Sequence, residues 1–184
     1  MSFGIKIENV VYIDSTSQLL ASILSKKISV GSKYVLIDIP YGKSAKVNFK
    51  QAKKLKFKFI ELGKKFGLKL KVVLTDGNEP IGNGIGPVLE MKDVLKVLKR
   101  ENPPEDLEEK SLFLAGKLLE ISGEAEESRG YEIAKGILDS GQAFKKFQEI
   151  IKAQLGKIDK MEKPKFYYDI NAKRDVKIKH IDNI

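Results

Sequence analysis

The stretch that decides the fold lies between residues 34 and 75 and reads YVLIDI (34–39), then FKQAKKLKFKFIELGKKF (49–66), then LKVVLT (70–75). The first and last segments are nearly continuous apolar runs, as expected of strands covered on both faces of a parallel sheet. In the middle segment, apolar residues recur at three- and four-residue steps, which predicts an amphipathic helix. Its predicted buried face consists of Ala52, Leu55, Phe59, Leu62 and Phe66. This order of strand, helix and strand predicts a βαβ unit, and therefore an α/β fold with a mainly parallel sheet and flanking helices.

The segments on either side of this unit indicate more helices. Before it, Val10–Ile13 predicts a short strand, and Gln18–Lys27 predicts a helix that buries a stripe of leucine and isoleucine side chains. After it, apolar periodicity and the Gly and Pro residues at segment ends predict four helices, over Pro87–Arg100, Leu107–Ser122, Gly130–Ser140 and Gln142–Gln154.

The last part of the chain changes character after a charged linker at Lys157–Lys163. Residues 166–170 and 176–181 alternate between apolar and polar side chains, which is typical of half-exposed strands. Two short strands do not make a stable domain by themselves. We therefore expect a central α/β domain over residues 1–156, incomplete at its N-terminus, and over residues 157–184 a linker with the first strands of a truncated C-terminal α+β domain.

The composition indicates a globular protein. Of the 184 residues, 42% are hydrophobic and 32% are charged, and the lack of cysteine excludes a disulfide framework. No run approaches the ~20 apolar residues of a membrane span, and the N-terminus lacks the basic and apolar regions of a signal peptide. We expect a cytoplasmic protein without a membrane partner.

The net charge of +9 leaves two classes of partner open. A basic surface suits a nucleic acid. However, the lysines are spread through the chain among glutamates, and no aromatic stacking platform accompanies them. The densest run, Lys53–Lys58, is interpreted as the solvated face of the predicted helix. A small anionic substrate such as a phosphate ester is the preferred interpretation.

Three polar residues near the N-terminus could carry chemistry. Ser22 and Lys26 are one helical turn apart and share a face, and Asp14 precedes the same helix. A carboxylate, a hydroxyl and an ammonium at one helix start could bind a nucleobase and protonate it. On spacing alone, a capped helix with a polar outer face is the preferred interpretation.

Two loops follow the predicted strands at the edge where open α/β sheets bind ligands. The first, Gly42–Lys46, has a glycine turn and two lysines that could approach a phosphate, although it does not have the spacing of a P-loop. Asp38, in the strand before it, is a carboxylate that needs partners if it is buried. The second loop has glycines at 82, 84 and 86, which imply close approach of the backbone. A surface turn and a tight connector are the plainer interpretations.

These segments occur in an order that resembles the thymidine/AMP phosphorylase family, and most closely its archaeal AMP phosphorylases. The resemblance is carried by YID (12–14) with LASILSKK (20–27), IDIPYGKSAKV (37–47), TDGNEPIGNGIGPVLE (75–90), GILDSG (136–141) and IIKAQ (150–154). It extends over nearly the whole chain in one order, which makes it more specific than any single motif.

The resemblance implies a pentosyltransferase that splits a nucleotide with phosphate. In the archaeal branch, AMP gives adenine and ribose 1,5-bisphosphate. By position, Asp14 would donate a proton to the departing base, Ser22 and Lys46 would bind the nucleotide, and Lys26 matches a lysine that contacts the base in the pyrimidine branch. Inorganic phosphate would be the co-substrate, with no further cofactor. We expect a homo-oligomer when the protein is full length, and no activity from this chain alone, because the family's phosphate-binding segment is not in it.

Two differences from the pyrimidine enzymes favour AMP as the substrate. Ile7 stands where they have an arginine, and YGKSAK (41–46) stands where they have KxGSGAF. A pyrimidine-nucleoside phosphorylase and a basic nucleic-acid-binding module are the alternatives. Some relatives hold a potassium ion with the region Ile81–Asp93, but further ligands would come from outside this chain, so we assign no metal.

Overall fold

The computed structural model describes residues 16–158, 161 and 166–181. Its helices are α1 (Thr16–Ser29), α2 (Phe49–Lys65), α3 (Pro87–Lys99), α4 (Glu105–Ser122), α5 (Gly130–Asp139) and α6 (Gln142–Ala153), and its strands are β1 (Tyr34–Tyr41) and β2 (Lys69–Asp76). Each helix and strand predicted between residues 18 and 154 is present, with bounds within two residues of the prediction. The predicted strand Val10–Ile13 and the candidate Asp14 lie outside the described residues.

The two strands pair in parallel, in register from Tyr34 opposite Lys69 to Tyr41 opposite Asp76. Helix α2 connects them, so this segment is the predicted βαβ unit, and the predicted α/β class is confirmed. Because the pairing is parallel, both strands end at the same edge, and the loops that follow them begin side by side.

A compact unit over residues 1–78 has its core between this sheet and the helices α1 and α2. Its buried residues are Leu20, Leu24, Val35, Ile37, Ile39, Ala52, Leu55, Phe59 and Val72. On β1 the buried residues alternate with half-buried ones. Within the described residues this strand is therefore fully covered on one face, whereas the sequence predicted cover on both.

The predicted buried face of α2 is correct except at its end. Ala52, Leu55 and Phe59 are buried, but Phe66 is 57% exposed. The helix ends at Lys65, and Phe66 is its C-cap residue, followed by Gly67 in the left-handed conformation. The chain leaves the helical path at this point, so the 3.6-residue period no longer directs the Phe66 ring to the core.

A second compact unit spans residues 79–184 and contains α3 to α6. Its core cluster is formed by Val97, Leu112, Ala134 and Leu138. Helices α4 and α5 pack closely at Gly116 and Gly130, where a Cβ added at Gly130 would lie 2.1 Å from the Gly116 carbonyl oxygen. The predicted boundary at residue 156 between two domains stays a prediction.

The two predicted strands at the end of the chain are wrong in the part that is described. Residues 166–181 contain no helix or strand, and most of their side chains are exposed. An alternating pattern forms a strand only against a partner strand or a covering layer, because the backbone groups and the apolar face need partners. Within the described residues, no helix is long and apolar enough to cross a membrane.

Candidate functional site

The loop after β1 is closed on itself and tied to the loop after β2. The Gly42 N–H donates to the Val47 carbonyl at 3.2 Å, and the Gly77 N–H donates to the Tyr41 carbonyl at 2.9 Å. The Lys43 N–H donates to Oδ1 of Asn78 at 2.8 Å. The two strand ends therefore continue as one hydrogen-bonded structure.

Asn78 is the centre of this structure. Its own N–H and its side-chain amide both donate to Oδ1 of Asp76, at 2.9 and 2.6 Å. The amide is thereby oriented so that its oxygen accepts from Lys43. The sequence did not mark Asn78 as functional, although an Asp-Gly-Asn turn at a strand end is a recognisable signal of local side-chain to backbone bonding.

Two glycines allow these loops to approach each other. A Cβ added at Gly42 would lie 2.6 Å from Oδ1 of Asn78, and one at Gly77 would lie 2.9 Å from the Cβ of Pro40. Neither position accommodates a side chain without movement of the loop. The backbone that carries Lys43 and Lys46 is therefore held in one place by Gly42, Gly77 and Asn78.

Lys46 lines a cleft of about 230 Å³ between this loop and the helices α1 and α2. We call it the lysine cleft, because Lys46, Lys54 and Lys58 all line it. The other lining residues are Thr16, Leu19, Val47, Gln51 and Leu55. Lys46, the predicted nucleotide-binding lysine, therefore lines the same cleft as the first turns of α1.

Ser22 and Lys26, the predicted site residues on α1, do not line this cleft. Ser22 is half-buried and Lys26 is exposed. Ser22 follows Leu19, a lining residue, by one helical turn. The structure thus places Lys46 next to the helix that carries Ser22 and Lys26. Asp14, two residues before Thr16 in the chain, lies outside the described residues.

Asp38 is a carboxylate within an apolar strand, and it has a hydrogen-bond partner. Its Oδ1 accepts a hydrogen bond of 2.8 Å from the Thr75 hydroxyl on the neighbouring strand, and the pair is partly buried. The bond joins the two strands near their carboxyl ends, since Asp38 is opposite Val73 in the register. Asp38 therefore has a clear structural role in the sheet.

The glycine-rich loop, Gly82–Gly86, belongs to the second unit and is organised by a buried carboxylate. Asp93, which is 3% exposed, accepts the N–H groups of Asn83 and Gly84 at 2.7 Å each, and Lys96 Nζ at 3.0 Å. Burial raises the pKa of Asp93, but the hydrogen bonds from Lys96, Asn83 and Gly84 outweigh it, so the pKa lies below its usual value.

The backbone conformation or the packing of this loop requires glycine at positions 82, 84 and 86. Gly82 and Gly86 have φ of 77° and 99°, and a Cβ at Gly84 would meet the Leu89 backbone oxygen at 2.6 Å. The sequence predicted that the backbone of this loop approaches another group closely. At Gly84 that group is the backbone of Leu89 in the same chain. Sequence reasoning missed Asp93, whose signal is a single acidic residue one position from an apolar stripe. In the described residues, no group of three or more His, Cys, Asp and Glu could hold a metal ion.

Comparison with known proteins places the chain in a family. No family model matches it. It is 45% identical over 181 residues to a protein of Ralstonia nicotianae named "Putative thymidine phosphorylase", an alignment that covers 97% of this chain and 36% of that protein. Proteins of the same name from Legionella pneumophila (strain Corby) and Methylococcus capsulatus are 46% and 44% identical over 181 and 183 residues. The chain belongs to the thymidine phosphorylase family.

Membership of this family confirms the resemblance seen in the sequence, at the level of the family. The chain spans about one third of the length of the relatives it matches, 36% in Ralstonia and 35% in Legionella and Methylococcus. These relatives are bacterial and are named for thymidine, so the closer resemblance to the archaeal AMP branch stays a prediction.

Proposed function

We propose that the protein to which this chain belongs is a phosphorylase that splits the glycosidic bond of a nucleotide or nucleoside. The main support is the sequence identity of 44–46% to proteins named "Putative thymidine phosphorylase". It covers 97% of the chain, so it takes in the stretches that hold Asp14, Ser22, Lys26 and Lys46. Phosphorolysis breaks the C–N bond, gives a proton to the base and joins a phosphate oxygen to C1 of the pentose.

The proposed substrate is AMP, which would give adenine and ribose 1,5-bisphosphate. Two observations support a nucleotide over a nucleoside. Ile7 replaces the arginine of the pyrimidine branch, and Lys46 lines a cleft with two further lysines. The names of the relatives favour the second candidate, a pyrimidine-nucleoside phosphorylase, because they specify thymidine.

The proposed roles follow the residue chemistry. Asp14 is the general acid that protonates the leaving base, a contribution of typically 10²–10⁴-fold for a positioned acid. Ser22 and Lys46 bind the nucleotide, and Lys26 contacts the base. A lysine supplies a point charge for phosphate or for negative charge that develops in the transition state. Inorganic phosphate is the proposed co-substrate, with no further cofactor, and the cytoplasm is the proposed location.

Replacement of Asp14 in the full-length enzyme tests the reaction. We expect Asp14→Asn to lower kcat by about 10²-fold or more with little change in KM, because the amide keeps the shape of the side chain and cannot donate the proton. The measurement is steady-state release of the base. Asp175→Asn, at an exposed position, is the matched control and should leave kcat unchanged. A normal kcat for Asp14→Asn would remove Asp14 from this role.

The same assay decides between the two substrates. AMP, CMP, uridine and thymidine are compared by kcat/KM with the wild-type full-length enzyme. A preference for AMP supports the proposal. A preference for thymidine or uridine shows that the pyrimidine candidate is correct.

A further inference from the structure

The loop that carries Lys46 is seated on the turn that follows β2. Gly42 begins the loop, and its N–H donates to the Val47 carbonyl at 3.2 Å, which closes the loop across its base. The next N–H group, that of Lys43, donates outside the loop, to Oδ1 of Asn78 at 2.8 Å. A side chain at the end of the neighbouring strand therefore supplies an acceptor for the backbone of the loop.

Asp76 fixes the direction of the Asn78 side chain. An amide group has an accepting oxygen at one end and a donating nitrogen at the other, and it can turn over to exchange them. Here Nδ2 of Asn78 donates to Oδ1 of Asp76 at 2.6 Å, and the Asn78 N–H donates to the same oxygen at 2.9 Å. An ionised carboxylate only accepts hydrogen bonds, so it binds the nitrogen and leaves the amide oxygen for Lys43.

The loop and the turn are in close contact at two places. A Cβ added at Gly42 would lie 2.6 Å from Oδ1 of Asn78 and 2.9 Å from the Asn78 nitrogen. One added at Gly77, which is buried, would lie 3.2 Å from the Cβ of Ala45 in the middle of the loop. Residues on both sides of Lys43 are therefore packed against the turn. Removal of the Asn78 side chain leaves a gap that the loop can fill only by moving.

Lys46 benefits from this support because its side chain is long and exposed. Immobilising a lysine side chain costs about 1.5–2 kcal/mol of conformational entropy. If the backbone of the loop also had to be ordered when the substrate binds, that further cost would weaken binding. A loop that is already held in place avoids the further cost. The residues that hold the loop therefore influence substrate affinity through Lys46.

We propose that Asn78, oriented by Asp76, is a positioning residue that holds Lys46 where it binds the substrate. This inference rests on the proposed function, in which Lys46 binds the nucleotide. Asn78 contacts the backbone of the loop and acts through it, without touching the substrate. Its effect on substrate affinity should therefore depend on the presence of the Lys46 ammonium group.

A double-mutant cycle in the full-length enzyme tests the inference. The wild type, Asn78→Ala, Lys46→Ala and the double variant are compared by kcat and KM, and by Kd from calorimetry. The ligand is AMP, or whichever of AMP, CMP, uridine and thymidine the wild type prefers. We expect Asn78→Ala to raise KM and Kd about fivefold, the equivalent of one ordinary hydrogen bond, with kcat within about twofold of wild type. In the Lys46→Ala background, the same substitution should change Kd by less than about twofold.

Asp76 provides a second test, which also serves if Asn78→Ala does not fold. Asp76→Ala leaves the Asn78 amide free to turn over and should raise Kd in the same direction. Asp76→Asn keeps an accepting oxygen at this position and should restore most of the affinity. Asn171→Ala is the matched control, because Asn171 is exposed in the segment 166–181, and it should change neither kcat nor Kd.

The remaining outcomes separate this inference from the proposed reaction. An effect of Asn78→Ala that is equally large with and without Lys46 would show general loosening of the protein and overturn the inference. If the wild type binds AMP and the cycle shows coupling in Kd but no base is released, the positioning role stands and the reaction is wrong. If base is released and both Asn78→Ala and Asp76→Ala have the Kd of the wild type, the reaction stands and the positioning role is wrong. Undetectable binding of all four ligands overturns both.

Discussion

Asp93 illustrates how a charged residue can be buried at low cost. Its carboxylate is 3% exposed, yet it accepts hydrogen bonds from two backbone N–H groups and one lysine. A buried ion without partners is strongly destabilising, whereas one that is fully hydrogen-bonded holds its surroundings in place. The residue therefore fixes the Gly82–Gly86 loop, which otherwise has few side chains of its own to pack.

Asp93→Asn should lower the free energy of unfolding at pH 7 by about 1–3 kcal/mol, because charge-assisted bonds become neutral ones and one N–H donor faces another. Urea denaturation measures the change, with hydrogen exchange to assign it to residues 79–158. Asp106→Asn is the control. Asp106 is an exposed carboxylate that also accepts from this loop, at Gly82, and the expected change is below about 1 kcal/mol.

The pH dependence of protein stability provides a second test of the contribution of Asp93. The pKa of Asp93 is lowered in the folded state, so its stabilising contribution is complete above the ordinary aspartate value of about 3.9. The contribution is lost as the pH falls through the lower, folded-state pKa. The stability difference between wild type and Asp93→Asn should therefore be constant near neutrality and shrink below about pH 4. A difference that grows on acidification would show that burial dominates and that the pKa is raised instead.

At the scale of helices, the contact of α4 with α5 depends on glycine. A Cβ at Gly116 would lie 2.6 Å from the Tyr131 nitrogen and 2.8 Å from the Gly130 carbonyl carbon, and both are backbone atoms. We expect Gly116→Ala to destabilise the protein by about 1–3 kcal/mol, because the helices must separate. Thermal or urea unfolding measures this.

Gly136 provides the matched control for Gly116. It lies in α5, it is exposed, and an added Cβ would meet nothing within 4 Å. Gly136→Ala should therefore stabilise the protein by about 0.5–1 kcal/mol through helix propensity alone. The two substitutions have opposite expected signs, and equal effects would contradict close packing at the helix crossing.

The helices and strands were predictable because the apolar residues of each recur with a regular period and because characteristic residues mark where each one begins or ends. The helix from Phe49 has an apolar face and is followed by Gly67, and α3 begins at Pro87, which suits the first helical turn. The helical period no longer predicts which residues are buried once the chain leaves the helix, as at Phe66. The alternation typical of a strand also fails as a predictor at residues 166–181, where it is present and no partner strand has formed among the described residues.

The candidate site was predictable only in part, for a physical reason. Lys46 follows a strand, and the edge of a parallel sheet is where ligands bind, so the sequence made it a candidate. Its role in nucleotide binding came from the family resemblance and stays a prediction. Lys54 and Lys58 look like ordinary solvated lysines in the sequence, and only the packing of the loop against α2 brings them to the same cleft. Asp93 was also missed, because two of its three hydrogen-bond partners are backbone groups that carry no side-chain signature.

At the scale of the whole molecule, the chain forms two compact units, each with its own core cluster. The proposed substrate-binding residues Ser22, Lys26 and Lys46 all belong to the first unit, which also contains the βαβ segment. The second unit is helical in its described part and carries the loop held by Asp93. The proposed binding of the nucleotide can therefore be tested by substitutions in the first unit.

The net charge of the whole molecule, +9, raises the question of nucleic-acid binding. Many of the lysines are neutralised locally, as in the ion pairs Lys65–Glu61, Lys96–Asp93 and Lys135–Asp139. The remaining lysines are spread through the chain among glutamates, whereas a nucleic acid needs an extended basic track along its backbone. We expect single-stranded RNA and duplex DNA to bind only weakly at about 50 mM salt, as measured by fluorescence anisotropy. A tight complex with a steep salt dependence, unaffected by competing AMP, would instead favour a nucleic-acid-binding module. A weak complex that AMP displaces would show that nucleic acid and AMP compete for one site.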